Sequence, residues 1–485
     1  MYRYQFFLAA FLINLTACAS KYVIPTPYVN NLFDQSCIYE SIAIHEKNNL
    51  SYMPNAYDHA LYFLDMGMMH FYSGNYAKSN DLLTKAEIAI ENNFTKSITQ
   101  HSSSYILDDR IMNYYGEDYE DIYLNVFKAI NYFNLKNMGA AGVELRRVNE
   151  KLEVLQDKYN TKVQQLNRTS EIQRTKRKIV TNPVNFHNSA LSRYLSSIYY
   201  RFEKQYDDAR IDIQHIYDAF TQQQSLYDYQ MPRHLFDLYQ CLSRNTPQSC
   251  LAPNRTMLYF IAFTGRSPVK IAKTYWIITR KNCIIIAQKK NGSGQMDVIP
   301  WPGVKSGYFF KFSLPYMQKR KNNVEKIVAF IDQTPVILEQ LEDLANIAIE
   351  TFNLKKNMIY LKTIIRATVK GILAEKLKKN IGKKKLDEKS KKREKQSLGE
   401  LLFNETKKGL IDFAIDATEN ADLRISSFFP GKAYSGNLVI RPGAYHVSIV
   451  YYDSRNKPLK KQDLGKQIIS QDGLNIIQSS YYGVH

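Results

Sequence analysis

The sequence predicts an α+β fold in which an N-terminal array of helices is followed by a mixed β/α part with a small antiparallel sheet. From about residue 32 to residue 250 the apolar residues follow helical spacing and prolines are scarce. Near residue 255 short runs of β-branched and aromatic residues take over, separated by glycine and proline. Hydrophobic residues make up 45% of the 485 residues and charged residues 23%, which excludes a mainly disordered chain and a polytopic membrane protein.

The first 17 residues have the form of a secretory signal peptide. Arg3 lies in a short polar start, an apolar run covers residues 6–13, and small residues lead into Cys18. The sequence Leu-Thr-Ala-Cys at 15–18 resembles a bacterial lipobox, in which the cysteine is lipidated and becomes the first mature residue. The alternative is an ordinary signal peptide that happens to precede a cysteine. We predict a lipoprotein signal peptide over 1–17 and lipidation of Cys18.

The residues after Cys18 indicate where the mature protein is held. In lipoproteins of this kind an aspartate directly after the cysteine favours the inner membrane, whereas here Ala19 and Ser20 follow. We therefore expect a protein that is anchored to the outer membrane by its lipid and faces the periplasm, with surface display as an open alternative. Two prolines predict an extended tether over 18–31. In this compartment we expect no nucleic-acid partner.

The net charge of +19 is unevenly distributed along the chain. Residues 376–395 contain eleven Lys or Arg and three acidic residues, a net charge of +8. Like charges in a low-complexity run repel one another and stay solvated, which predicts a lysine-rich loop or a frayed helical extension. Contact with anionic lipid headgroups or with an acidic polymer is the functional alternative.

Within the helical domain, predicted over 32–250, three places share one pattern of large and small residues around a turn. The turns fall at residues 74, 136 and 204, which are 62 and 68 residues apart. The residues of the three units are Phe63, Met66, Gly67, His70, Gly74, Tyr76, Ser79, Leu83 and Ala86; Ala129, Tyr132, Ala141, Leu145 and Val148; and Ser197, Tyr200, Ala209, Ile213 and Ile216. These offsets resemble tetratricopeptide units, whose period is about 34 residues. A generic helical bundle is the alternative.

An α+β domain is predicted over 255–485. Its predicted strands are 257–263, 269–278, 283–287, 326–331, 438–440 and 445–451, and helical spacing returns over 335–375 and 397–421. In the last of these strands every second residue from Tyr445 to Tyr451 is apolar or aromatic, which places them on one face. We expect about the last 60 residues to form a small antiparallel sheet.

The cysteines and the motif search point to no catalytic, cofactor or metal site. Of the four cysteines after Cys18, Cys241 and Cys250 are nine residues apart and are able to pair in an oxidising compartment. The spacings of cysteine and histidine match no zinc site, and no nucleophile elbow, phosphate loop or dinucleotide fingerprint is present. We therefore predict that the protein is not an enzyme, although carboxylate pairs assembled in space leave no such motif.

An acidic cluster stands out in the helical domain. Glu117, Asp118, Glu120 and Asp121 precede or begin a predicted helix, where negative charge offsets the helix macrodipole. The second interpretation is an exposed surface that docks a partner. A metal site is the least favoured, because neither the glycine nor the final glutamate of a calcium-binding loop follows.

Several segments together resemble an uncharacterised family of tetratricopeptide-like bacterial envelope lipoproteins. They are Gly116–Asp121, Leu124–Val126, Arg146–Leu152, Asn182–Pro183, Gly265, Pro268–Lys270, Thr418–Arg424, Pro430 and Pro442–Tyr445. The chain departs from the family pattern at Ser426, where an aromatic residue is expected, and in the lysine-rich insertion. The resemblance implies an envelope lipoprotein, and members are often encoded near lipoproteins that activate penicillin-binding proteins.

These observations lead to two functional hypotheses. The first is a periplasmic interaction scaffold, whose helical array binds an envelope protein partner, with cell-envelope or peptidoglycan-synthesis assembly as the process that the resemblance suggests. The alternative is a cell-wall hydrolase or a ligand-handling envelope protein with a cleft between the helical and β parts. Converging carboxylates in that cleft would favour the hydrolase.

Overall fold

The computed structural model describes residues 27–49, 59–99, 112–169, 172–173, 175–244, 254–391 and 420–482. At 27, 97–99, 244 and 373–391 it describes the backbone alone. The signal peptide at 1–17, Cys18 and Cys250 lie outside these residues, as does nearly all of the helix predicted over 397–421.

Ten helices occupy much of the described chain. They are α1 Pro27–Asp34, α2 Ile38–Asn49, α3 His59–Tyr72, α4 Tyr76–Thr99, α5 Asp118–Asn134, α6 Met138–Asn167, α7 Ala190–Phe202, α8 Tyr206–Gln222, α9 Arg233–Arg244 and α10 Leu344–Lys391. The extended tether predicted over 18–31 is wrong from residue 27 onward, because α1 begins there and buries Val29 and Phe33 in the core. Among the helices described, none is long and apolar enough to span a bilayer.

The same turn joins the first eight helices into four hairpins. Ser36, Gly74, Lys136 and Lys204 each have a positive φ, between 59° and 77°. After Lys136 the N–H of Asn137 donates to the carbonyl of Tyr132 at 2.9 Å, and the other three turns repeat this bond. This is the Schellman arrangement that ends a helix. The turns predicted at 74, 136 and 204 are therefore confirmed, and the sequence reading missed the one at Ser36.

Eleven strands form two sheets. The strands are β1 Thr256–Thr264, β2 Val269–Arg280, β3 Cys283–Ala287, β4 Gln295–Pro300, β5 Phe309–Gln318, β6 Lys326–Ile331, β7 Thr334–Glu342, β8 Lys432–Ile440, β9 Gly443–Tyr452, β10 Pro458–Ile469 and β11 Ile476–Tyr481. The large sheet has the order β10-β9-β6-β7-β8-β1-β11, with β1 and β11 parallel. The small sheet is antiparallel in the order β4-β3-β2-β5.

The predicted α+β class, with helices first and one small antiparallel sheet, is thus confirmed. Two details of the prediction are wrong. The strands near the C-terminus do not form a small sheet of their own, because β8 to β11 pair with β1, β6 and β7 in the large sheet. Residues 334–342 form strand β7 and not the start of a helix, so α10 begins only at Leu344.

Strand β1 joins the helices to the large sheet. Tyr259 and Phe263 on one face of β1 belong to the core that the helices build, while Leu258 and Phe260 on its other face belong to the second core of the sheet. The rings of Phe71 on α3 and Phe127 on α5 lie 6.2 and 5.3 Å from the ring of Phe263. Helical and β regions therefore share one continuous core.

Helix α10 lies on the small sheet. A Cβ added at Gly371 would meet the ring of Phe310 on β5 at 2.4 Å, so the backbone of α10 closely approaches that strand. The helix continues to Lys391, which makes 376–391 of the predicted lysine-rich loop helical; residues 392–395 lie outside the described part of the chain.

Candidate functional site

The four predicted acids lie at the junction of the helical region, the small sheet and α10. Glu117 is the N-cap of α5 and forms a capping box with Glu120, as expected for acids at a helix start. The interpretation as an exposed partner surface is wrong for this cluster. Glu117 and Asp118 are each 4% exposed, Glu120 is fully buried, and the Asp121 side chain is 15% exposed.

Glu117 and Asp118 are bound by lysines from distant elements. Glu117 forms ion pairs with Lys270 of β2 and, at 2.8 Å, with Lys355 of α10. Asp118 accepts from Lys158 at 3.1 Å and from the hydroxyl of Tyr159 at 2.5 Å, both on α6. Burial alone would lower the pKa of Lys355, but Glu117 and Asp118 overcome it and raise that pKa. These acids hold the junction together.

Glu120 connects α5 to the segment before β8. Its carboxylate accepts from the backbone N–H of Ser426 at 2.6 Å and from the hydroxyl of Tyr114 at 2.6 Å. Burial, followed by the charge of Glu117, raises the pKa of Glu120 to about 7. Ser426 itself is fully buried and donates its hydroxyl to Asp65 at 2.7 Å, which gives a physical reason for a small polar residue there. Asp121 turns away and pairs with Lys151 at 2.7 Å.

Beside Glu117 lies a cavity of about 100 Å³, which we call the basic cavity. Its wall comes from residues 112–117 just before α5, from α6, α10, β2 and β5, and from residues 420–424. Among the described lining residues, the basic ones are Lys162, Lys270, Lys355, Lys362, Arg366 and Arg424, and the acidic ones are Glu117 and Asp422.

The environment of Lys162 shows the electrostatic character of the cavity. The side chain is 7% exposed, and its ammonium lies 4.6 Å from the ring centre of Tyr115. Burial is the main cause that lowers the pKa of Lys162 to about 7, and repulsion from Lys362, Lys355 and Lys158 adds to it. An anion in the cavity would relieve that repulsion.

The cavity has the size and chemistry for one anionic group. On this measure one water molecule needs only about 10–15 Å³, so the cavity has room for several waters or for one phosphate, sulfate or carboxylate group. Tyr115, Leu166 and Met358 add an apolar part to the wall, which suits a ligand with an apolar portion next to its charge. Both lining carboxylates are bound by basic side chains, since Asp422 accepts from Arg424 at 2.8 Å as Glu117 does from its lysines. Both negative charges of the wall are therefore paired within the cavity lining.

Three segments quoted for the family resemblance meet at this cavity. Residues 116–117, Lys270 and four of the residues 420–424 line it, although up to about 300 residues separate them in the sequence. No sequence pattern identified Lys162, Lys362 and Arg366 as site residues, because in a helix a buried lysine or arginine is spaced like a solvated one. The sequence signal that points to the site is that these separate segments, all quoted for the resemblance, line one cavity.

The comparisons with known proteins identify no relative of this chain. No family model, no curated protein and no solved structure matches the chain. The resemblance to an envelope lipoprotein family therefore stays a prediction.

Two further predictions concern metal and disulfide. Within the described ranges, no group of three or more His, Cys, Asp or Glu side chains is placed to hold a metal ion. Cys241 takes part in a disulfide bond, whereas Cys37 and Cys283 are free thiols. The pairing of Cys241 with Cys250 stays a prediction, since Cys250 lies outside the described residues.

Proposed function

We propose that this chain is a lipid-anchored envelope protein that binds an anionic ligand in the basic cavity. The observation that carries the proposal is the convergence of six basic side chains from α6, α10, β2 and residues 420–424 on one small cavity. Buried cations bind phosphate and carboxylate groups through charge-assisted hydrogen bonds, which are stronger than neutral ones. Of the two sequence hypotheses, the ligand-handling protein fits this geometry better.

The packing of β1 weighs against an open helical groove. The first helix of each later hairpin directs an aromatic ring at β1; for α7 it is Tyr194, whose ring centre lies 6.3 Å from that of Tyr259. The face of the first helices that would line a groove is therefore covered at these positions by the chain's own strand. The acids 117–121 do not offer a docking surface either, since they are engaged inside the molecule.

We also propose that the hairpins are tetratricopeptide-like units. Support comes from the repeated Schellman turn and from the tight contacts of small residues. A Cβ at Gly67 would lie 2.7 Å from Leu83 within one hairpin, and a Cβ at Gly142 would lie 2.6 Å from Tyr199 of the next. Small residues at such contacts let neighbouring helices approach closely.

An interaction scaffold is our second proposal, and one observation favours it. The second helices of three hairpins carry exposed apolar side chains, whose exposed fractions run from 42% to 57%. They are Ile88 on α4, Val143 and Val154 on α6, and Ile211 on α8. A partner would dock on this side of the array, away from β1.

We expect the basic cavity to bind inorganic phosphate and sulfate, as measured by calorimetric titration of the unacylated Cys18→Ser protein. Lys162→Gln should weaken binding at least tenfold, because a hydrogen bond to a charged group contributes about 1.5–3 kcal/mol. Lys85→Gln is the matched control, since Lys85 is half exposed and pairs with Asp81 on the surface of α4. Absence of binding by the parent protein, or an equal loss in both variants, would contradict the proposal.

Binding should also depend on pH with a defined sign. The pKa of Lys162 lies at about 7 in the free protein, and a bound anion favours its charged form. Sulfate affinity should therefore decrease as the pH rises above about 7, with proton uptake on binding. In Lys162→Gln the proton uptake should disappear; if it persists, another group titrates.

The proposed anchor is tested separately. Replacing Cys18 with serine should move the protein from the membrane fraction to the soluble fraction of the envelope, because the acyl chains supply the stable attachment. Labelling with a radioactive fatty acid should mark the wild-type protein and not the variant. Membrane association that survives the substitution, together with an unlabelled wild type, would refute lipidation.

A further inference from the structure

Nearly all of the net charge lies in two segments. Residues 269–321 contain eleven Lys or Arg and a single acid, Asp297, a net charge of +10. Together with the +8 of 376–395, they account for all but one unit of the net charge of +19. The remainder of the chain is close to neutral, so the positive charge belongs to particular parts of the fold.

The first basic segment is the small sheet, and one of its two faces carries exposed apolar side chains. Strands alternate their side chains between faces, so Ile277, Ile284 and Ile299 point into the core beneath α10 and are fully buried. On the opposite face Met296, Val298 and Phe309 are 40–48% exposed. We call this the outer face.

The outer face forms rows of apolar and basic side chains across the sheet. The register places Val298, Ile285, Ile278 and Phe309 in one row, whose middle residue Ile278 is only 3% exposed. Trp276 lies opposite Lys311 in the next row. The ammonium of Lys290 lies 5.5 Å from the ring centre of Trp276 and 5.9 Å from that of Phe309. Arg280 and Lys311 are exposed beside these rings. The face therefore combines large apolar side chains with cations at its surface.

We propose that the outer face of the small sheet docks on an anionic lipid bilayer. Trp and other aromatic side chains favour the interface between headgroups and hydrocarbon, and Lys and Arg extend their charged ends toward the headgroups. Each basic residue near an anionic membrane surface contributes about 1 kcal/mol of attraction. A sheet face that contacts only water would not be expected to expose Met296, Val298 and Phe309 beside several cations.

The second basic segment continues from the same part of the molecule. Helix α10 crosses the small sheet at Gly371 and stays helical to Lys391, a further rise of about 30 Å. Since α10 packs on the opposite face, the sheet lies between this part of the helix and a bilayer docked on the outer face. The proposed lipid at Cys18 would keep the body close to the membrane, since eight residues separate Cys18 from α1 and span at most about 30 Å.

The test uses the unacylated Cys18→Ser protein, so that the anchor contributes nothing and the basic cavity is intact. Flotation is measured with vesicles of phosphatidylcholine alone and with about one-third phosphatidylglycerol. We expect binding to the anionic vesicles and little to the neutral ones. The test variant reverses three exposed charges of the small sheet, namely Arg280→Glu, Lys290→Glu and Lys311→Glu, and should bind at least tenfold more weakly.

A matched control makes the same change of net charge in the large sheet. It carries Lys460→Glu, Lys461→Glu and Lys466→Glu, all exposed on β10. The control should bind like the parent, because docking depends on the outer face and not on total charge. The single variant Phe309→Ser should lose the part of binding that survives high salt, and thermal unfolding monitored by circular dichroism verifies that each variant is folded.

Three outcomes would overturn the proposal. Equal losses in the test and control variants would mean that only overall charge matters. Equal binding to neutral vesicles would remove the electrostatic basis. Binding to soluble dextran sulfate without vesicle binding would identify an acidic polymer as the occupant. Sulfate binding in the basic cavity is unaffected by any of these, so the two proposals fail independently.

Discussion

Replacing Gly67 with leucine should unfold the protein or lower its free energy of unfolding by at least about 1–3 kcal/mol. A Cβ at this position would lie 2.7 Å from Cδ2 and 2.8 Å from Cγ of Leu83, which is shorter than any normal contact. The added side chain would force α3 and α4 apart in the centre of the helical core. It would also strain the hydrogen bond at 2.8 Å from the Ser79 hydroxyl to the Gly67 carbonyl. Urea denaturation followed by circular dichroism measures the loss.

A second glycine supplies the control. Gly139 lies in the first turn of α6, and a Cβ there would meet nothing within 4 Å. Gly139→Ala should therefore be neutral or stabilise the protein by up to about 1 kcal/mol, because alanine loses less backbone entropy on folding. If Gly67→Leu and Gly139→Ala had equal stability, the close packing of α3 on α4 would not be what requires glycine at 67.

The local patterns of the sequence predicted the helical hairpins well. The turns at 74, 136 and 204 could be predicted from the residues near them, because the end of a helix and the adoption of a positive φ are determined locally. The alternation from Tyr445 to Tyr451 was also confirmed: Val447, Ile449 and Tyr451 are buried in the core of the large sheet, and Tyr445 packs against it.

Those local patterns could not predict which distant strands and side chains pair. β8 and β9 follow each other with two residues between them, yet β7 and β6 lie between them in the sheet. The capping role of Glu117 was predictable from its neighbours, whereas its burial depends on Lys270, which lies 153 residues further along the chain. A lysine that neutralises a buried acid looks the same in the sequence as a solvated one.

The same long-range contacts make Glu117 a position of the candidate site where substitution should strongly destabilise the fold. If the acids at 117–121 were exposed, reversing their charges would leave the fold intact. Because they are largely buried and paired, we expect such a change to destabilise the fold. Removing the carboxylate by Glu117→Ala leaves Lys270 and Lys355 buried, at 5% and 3% exposure, without the acid that pairs with both. Breaking a buried ion pair on one side costs about 3–5 kcal/mol.

Chemical denaturation of Glu117→Ala beside Glu153→Ala, an exposed acid on α6, measures this effect. The control should stay within about 0.5 kcal/mol of the wild type. Sulfate should restore part of the stability lost in Glu117→Ala, because an anion in the basic cavity takes over the neutralisation of the two lysines and binds the folded state alone. Stabilisation by sulfate should then be larger in this variant than in the wild type. A loss of stability that sulfate does not reduce would mean that Glu117 supports the fold while the cavity beside it does not accept anions, so the structural role of the acid and the proposed binding function would be separated by one measurement.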